Sequence, residues 1–187
     1  MKTGLILVDI QNDYFPDGKM ELDGMAAATE NAGKLLEWFR DKSWPIFHIQ
    51  HISNYKGATF FLPDTQGMDL HQRIAPLPEE TIIQKHFPNS FRDTALLDAL
   101  KAAGVEQVVI CGALSHMCID ATTRASADLG FACVLIHDAC ATRDLEFGGK
   151  TVRAADVHAS FMAALGSAYA EVMSCGDFLN GPINDKG

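Results

Sequence analysis

The chain has 187 residues, 48% of them hydrophobic and 21% charged, with a formal net charge of −9. That length and mixture suit one globular domain with a sizeable core, expected over residues 1–180 and followed by a frayed polar tail over 181–187. The acidic balance argues against nucleic acid or an anionic membrane surface as a partner, because both require a basic face. The opening "MKTGLILVDIQNDY" carries only a short apolar run, interrupted by Asp9, and no small-residue cleavage site, so it does not read as a secretory signal. No apolar run approaches the roughly 18 residues that a membrane span needs. The cysteines Cys111, Cys118, Cys133, Cys140 and Cys175 are odd in number and form no C-x-x-C pair. They read as reduced thiols of a cytoplasmic protein.

In chain order, "GLILVD" (Gly4–Asp9) reads as a buried strand. Gly24–Lys42 reads as a helix, with Met25, Ala28, Ala32, Leu35, Leu36 and Phe39 on one face and Asp23 as its N-cap. "WPIFHIQ" (Trp44–Gln50) is a second strand, with Pro45 at its start where a missing N–H is tolerated. Ser53–Glu80, rich in Gly, Pro, Asn and Asp, reads as a long loop with one helical turn, and loops of that length are often functional. "TIIQK" (Thr81–Lys85) is a third strand, and Asp93–Ala103 a helix stopped by Gly104. "QVVICG" (Gln107–Gly112) is a fourth strand, followed by a helix over His116–Leu129 that ends at Gly130. "ACVLIHD" (Ala132–Asp138) is a fifth strand, "TVRAADVHASFMAALG" a last long helix, and "AEVMS" (Ala170–Ser174) a sixth strand. Solidly apolar strands alternating with helices imply a doubly wound, three-layer α/β/α fold around a mostly parallel six-stranded sheet, Rossmann-like in plan. No G-x-G-x-x-G or Walker A pattern is present, so no nucleotide cofactor is implied.

Such sheets bind ligands beyond the carboxyl ends of their strands. Asp9, Lys85 and Asp138 close the first, third and fifth strands, and Cys118 lies in the turn after the fourth. Each has an ordinary structural reading. Asp at a strand end is often a turn residue, lysine is usually solvated, and a buried cysteine is usually a small hydrophobe. Together they form a coherent set for nucleophilic hydrolysis. A helix start and a lysine stabilise a thiolate, which would lower the Cys118 pKa below the 8.5 or so of a free thiol. An aspartate can take the thiol proton and later activate water.

Three segments, "LILVDIQNDYF", "IIQKHFPNSF" and "VVICGALSHMCIDATTRASADLGFACVLIHDACATRD", in that order and spacing, resemble the isochorismatase-like cysteine hydrolases. The resemblance covers nearly the whole chain. It implies a catalytic Asp9, a catalytic Lys85 followed by a Ser-x-Phe-like element at Asn89–Phe91, and Cys118 as nucleophile. It also implies a cis peptide at Ala113–Leu114, with the backbone N–H groups of Leu114 and Cys118 as an oxyanion hole. Cys140 falls in a stretch that helps to build the site floor in this family, and Cys111 and Cys133 fall inside strands. A homo-oligomer, dimer or tetramer, is further implied, with Ser53–Glu80 the place to look for contacts and substrate choice.

Metal-binding members carry Asp-x-His after the second strand plus a further His. Here that stretch reads "FHIQHISNYKG", and His48 and His51, three apart in a strand, would point to opposite faces. Asp69 and His71 alone are too few for a site, so no metal and no cofactor is expected. His51 is instead expected to hydrogen-bond near the pocket mouth. Loop aromatics Phe15, Tyr55, Phe60, Phe61, Phe87 and Phe91 are expected around the site, with Gln11, Phe15, His51 and Phe61 as substrate contacts. The leading expectation is a hydrolase of a small amide-like C–N bond acting through a thioester. The rival enzyme is an isochorismate hydrolase, although members with that activity lack the cysteine. A third reading is a small-molecule-binding protein on the same fold.

Overall fold

A computed structural model describes residues 1–181; most of the expected polar tail, 182–187, lies outside the described residues. Among them, six parallel strands form one sheet: β1 (Thr3–Val8), β2 (Ile46–His51), β3 (Thr81–Lys85), β4 (Gln107–Ala113), β5 (Ala132–Ala141) and, after a short hairpin, β8 (Glu171–Met173), in the order β3-β2-β1-β4-β5-β8. All six residues of β1 are buried, as a central strand covered on both faces requires. Its side chains alternate between two cores. Leu5 and Leu7 pack with α1 (Met25–Asp41) and with Cys175 of the short helix α5 (Cys175–Asn180), whereas Ile6 and Val8 pack with α2 (Leu96–Ala102) and the helical side of β4 and β5. That second core also holds Ile119 beside α3 (Asp120–Asp128) and Met162 and Leu165 of α4 (Ala154–Gly166). The result is the expected three-layer α/β/α arrangement.

The chain winds from β1 outward to β2 and β3, then crosses back to place β4 on the other side of β1. The order therefore reverses between β1 and β4, and the crevice beyond their carboxyl ends is the natural ligand position. Gly112 makes the two strands fit there. It has φ 123°, and a Cβ at this position would lie 2.0 Å from the Val8 carbonyl oxygen, so only glycine is accommodated.

Several local expectations are corrected. Asp23 does not cap α1; the N-cap is Gly24, in the left-handed region at φ 73°, with no side-chain cap. β5 continues past Asp138 to Ala141, because bulged pairing resumes between Gly112 and Cys140. Asp138 is thus within the strand, where its carboxylate accepts the Cys175 N–H at 2.7 Å and anchors the start of α5. The antiparallel hairpin β6 (Leu145–Phe147) and β7 (Lys150–Val152) follows β5, and neither it nor α5 is marked by periodicity in such short segments. The long loop holds two 3-10 turns, Gln66–Met68 and Gln72–Ile74. No helix among the described residues is long and apolar enough to cross a membrane. All five cysteines are buried free thiols.

Candidate active site

Asp9 follows β1 in the left-handed region at φ 52°, a conformation that Asp tolerates better than most residues. Its N–H is held by the Ile49 carbonyl at 3.1 Å. Lys85 ends β3, two strands away in the sheet. Cys118 arrives by a different device. After the cis peptide at Ala113–Leu114 the chain forms one wide π-type turn, Ser115–Ile119, before α3 begins. The Leu114 carbonyl accepts the N–H groups of Met117 and Ile119, at 3.0 and 3.1 Å, and passes over the Cys118 N–H between them.

These three residues meet. The Lys85 Nζ lies 2.7 Å from Asp9 Oδ2, with both side chains fully buried, and 3.2 Å from Cys118 Sγ. It also lies 3.0 Å from His51 Nδ1 and 3.1 Å from the Phe87 carbonyl oxygen. Four acceptors thus surround an ammonium that has only three N–H bonds to give. Asp9 Oδ1 is buried with no hydrogen-bond partner among the described residues. One ligand-type atom each from Asp9, His51 and Cys118 lies within 4.8 Å of the others, a spacing that would suit a metal ion. The Lys85 ammonium, however, is already within hydrogen-bonding distance of all three and supplies the cation.

The electrostatics differ from the expectation of a lowered thiol pKa. Burial, reinforced by the Asp9 carboxylate, pushes the Cys118 thiol up to about 12, against the opposing pull of Lys85. Cys118 is therefore held as a neutral thiol near pH 7. Burial acts to lower Lys85, but Asp9 and Cys118 outweigh it and hold the ammonium above its ordinary value. Burial lowers His51 to about 4, partly offset by Asp9 and assisted by Lys85. His51 is therefore neutral near pH 7, and with Nδ1 accepting from Lys85 its ring proton sits on Nε2.

A cavity of about 360 Å³ opens over Cys118. Tyr14, Tyr55, Phe60 and Phe87 supply aromatic wall; Leu114, Met117 and Pro88 add apolar surface; His51, Asn54 and His86 provide the polar contacts. Of the four expected substrate contacts only His51 lines it. Gln11 lies behind, donating to the carbonyls of His51 and Met68 and accepting the His51 N–H at 2.7 Å, so it fixes the end of β2. Phe61 packs edge-on to Tyr14, centroids 4.6 Å apart, and Phe15 stacks on His71 at 3.9 Å. Both are supports for the loop. Tyr55, Phe60 and Phe87 line the cavity as expected of loop aromatics, whereas Phe91 stacks with Phe131.

Sequence reasoning missed Tyr14, Asn54, His86 and Met117 as lining, and Ser90 as a tether. The fully buried Ser90 hydroxyl lies 2.8 Å from Thr122 Oγ1 in α3, which ties the segment carrying Lys85 to the helix after Cys118. The quoted Asn89–Phe91 element was the available signal. His48 points away from His51, as the strand period requires, and bonds Glu80 at 2.8 Å. Asp69 is exposed, and His71 accepts the Arg73 N–H. Cys140 is buried and lines a separate cavity of about 200 Å³ with His137, Asp138 and His158.

The sheet reverses between β1 and β4, and a buried Asp-Lys-Cys cluster stands at the reversal, where α/β folds place their ligands. The isochorismatase domain family matches residues 3–174. The chain is 49% identical over 179 residues to the isochorismatase family protein YddQ of Bacillus subtilis, covering 96% of this chain and 99% of that one. It is 35% identical over 167 residues to a streptothricin hydrolase of Streptomyces noursei, 89% of this chain and 57% of that longer one. A crystal structure of an isochorismatase from Pseudomonas putida superposes with a TM-score of 0.88 at 33% identity, over 94% of this chain and 89% of that chain. The chain belongs to the isochorismatase family and is a hydrolase of that family.

Proposed function

We propose that this hydrolase cleaves a small amide-type C–N bond through a thioester on Cys118, without a cofactor. The observation that carries the reading is one buried ammonium, Lys85 Nζ, 2.7 Å from Asp9 and 3.2 Å from Cys118 at the foot of a substrate-sized cavity. The family's streptothricin hydrolase, by its name, acts hydrolytically on another small molecule, which agrees with this class of reaction.

With a thiol at about 12, the proton must leave as the bond forms. Asp9 takes it while Sγ attacks the carbonyl carbon. The carbonyl π pair moves to oxygen, where the N–H groups of Leu114 and Cys118 receive the charge. The oxygen pair returns, the C–N bond breaks, and the amine departs with the proton held by Asp9. Water then gives a proton to Asp9 as it attacks the thioester. The C–S bond breaks, the sulfur recovers the proton, and a carboxylic acid is released. Lys85 balances Asp9 throughout and turns an N–H to sulfur whenever sulfur carries charge.

Acid-quenched mass spectrometry with a panel of primary amides tests this. An acyl mass on the peptide containing Cys118, absent in Cys118→Ala together with turnover, is expected. Undiminished turnover by Cys118→Ala would overturn the reading.

A further inference from the structure

We infer that the cavity over Cys118 selects an uncharged acyl group, flat and aromatic in its best form, and turns away acyl groups that carry a carboxylate. This deepens the amide-hydrolase reading and rests on it for the position of the reacting carbonyl.

Among the described residues, none of those lining the cavity is a Lys, Arg, Asp or Glu. His51 is neutral, and Lys85 is fully buried behind Cys118 with more acceptors than N–H bonds. A carboxylate entering the cavity would lose its water and meet no cation, and buried unpaired charge is strongly disfavoured. The polar contacts suit neutral groups instead. His86 Nδ1 donates to the Ile52 carbonyl at 2.8 Å, and Asn54 offers an amide. The aromatic side chains of Tyr14, Phe60 and Phe87 give a ring or other flat apolar group an apolar wall. The volume, about 360 Å³, lies at the small end of ligand pockets.

Two cations stand near the mouth but outside the lining. Arg92 stacks on Phe87 at 3.6 Å, is 60% exposed and lies beside Asp93; Arg143 is exposed. Both are exposed, so water and salt weaken their pull on a buried carboxylate, although the charge of Arg143 is felt at Tyr14. The same asymmetry favours turnover, because the product acid ionises beside Asp9 with no cation of its own and is driven out. An anionic vinyl ether such as isochorismate, a dicarboxylate, is disfavoured by the same cavity.

Matched aldehydes separate the possibilities without requiring a known substrate. Benzaldehyde and 4-carboxybenzaldehyde each form a reversible hemithioacetal, in which sulfur bonds to the carbonyl carbon and the thiol proton passes to the oxygen. Protection of Cys118 from iodoacetamide, read by peptide mass spectrometry and referenced to a small thiol in water, gives an apparent affinity for each. We expect benzaldehyde to protect at least about tenfold more tightly, and Met117→Lys, which adds a cation to the cavity wall, to narrow or reverse that ratio. Equal or tighter protection by the carboxylate in the parent protein overturns the inference. Labelling of Cys118 that neither aldehyde prevents overturns the acyl class alone, whereas amide turnover undiminished in Cys118→Ala overturns the thioester reading on which it rests.

Discussion

Glu80 and Asp9 are both buried carboxylates facing a cation, and they are furnished very differently. Glu80 accepts Nε and Nη2 of Arg40 at 2.6 and 2.8 Å, the ring of His48 at 2.8 Å and the Leu77 N–H at 2.9 Å. Burial raises it, but Arg40, the Leu77 N–H and His48 outweigh burial and hold the carboxyl at about 2. Asp9 has the Lys85 ammonium at Oδ2 and the Cys118 thiol close by, and Oδ1 has no hydrogen-bond partner among the described residues. Glu80 pins the loop's end to β2 and α1, and its hydrogen-bonding capacity is used up. Asp9 keeps capacity in reserve, which suits the proton-accepting role proposed for it. A saturated buried charge is the mark of a structural role, and an unsaturated one beside a buried thiol is a candidate for chemistry.

The largest expected effect breaks the weaker-furnished pair. Lys85→Met leaves an ionised carboxylate buried without a cation, which costs about 3–5 kcal/mol, measured as a lower urea midpoint together with lost turnover. Adding Asp9→Asn recovers most of the stability and none of the turnover. A Lys85→Met protein as stable as its parent would show that Asp9 does not carry charge in the fold. Glu80→Gln is expected to cost less, about 1–3 kcal/mol, and to leave turnover unchanged. Its signature is in the pH dependence. A carboxyl held at about 2 against an ordinary 4.5 contributes stability that is fully present above 4.5 and lost as pH falls toward 2. Glu80→Gln should flatten that limb, and an unaltered limb would remove Glu80 from the account.

Asp9→Asn alone sharpens the contrast between ionising a thiol and using it. Asp9 raises the Cys118 thiol and Lys85 lowers it, so the substitution shifts the alkylation inflection down from about 12. Turnover should nevertheless vanish, because the proton acceptor is gone. An inflection that stays in place would mean that burial alone sets the thiol.

Much of this was legible in the sequence, for definable reasons. Six apolar runs and their helices imply the layers, and the fold class puts Asp9, Lys85 and Cys118 at the carboxyl side of the sheet before any contact is known. Asp138 misled because β5 continues through a bulge, which depends on pairing with β4 and has no local signature. Gln11 and Phe61 misled because nearness along the chain to a site does not say which wall they face; both proved to hold the loop from behind. The thiol's direction was missed because a helix start and a lysine are visible in sequence, whereas the near-complete burial that outweighs them is a property of packing.

The smallest expected effect concerns the two histidines of β2, His48 and His51, three residues apart and on opposite faces. His48 belongs to the saturated cluster, so His48→Leu should weaken the fold and spare turnover. His51 accepts from Lys85 at 3.0 Å. In His51→Leu the freed N–H turns to the remaining acceptors, Cys118 among them, and the thiol inflection shifts down by less than in Asp9→Asn. Losing one hydrogen bond of about 0.5–1.5 kcal/mol predicts up to about a tenfold fall in turnover. The pH dependence separates this from simple damage. His51 takes its proton at about 4 in the fold and near 6.5 when unfolded, so the unfolded chain binds protons first. Stability is full above about 6.5 and falls as pH drops toward 4. His51→Leu should remove part of that slope and leave the part due to His48, which burial also lowers despite Glu80. An unchanged slope would mean that His51 is charged in the fold, and an ammonium 3.0 Å away argues directly against that.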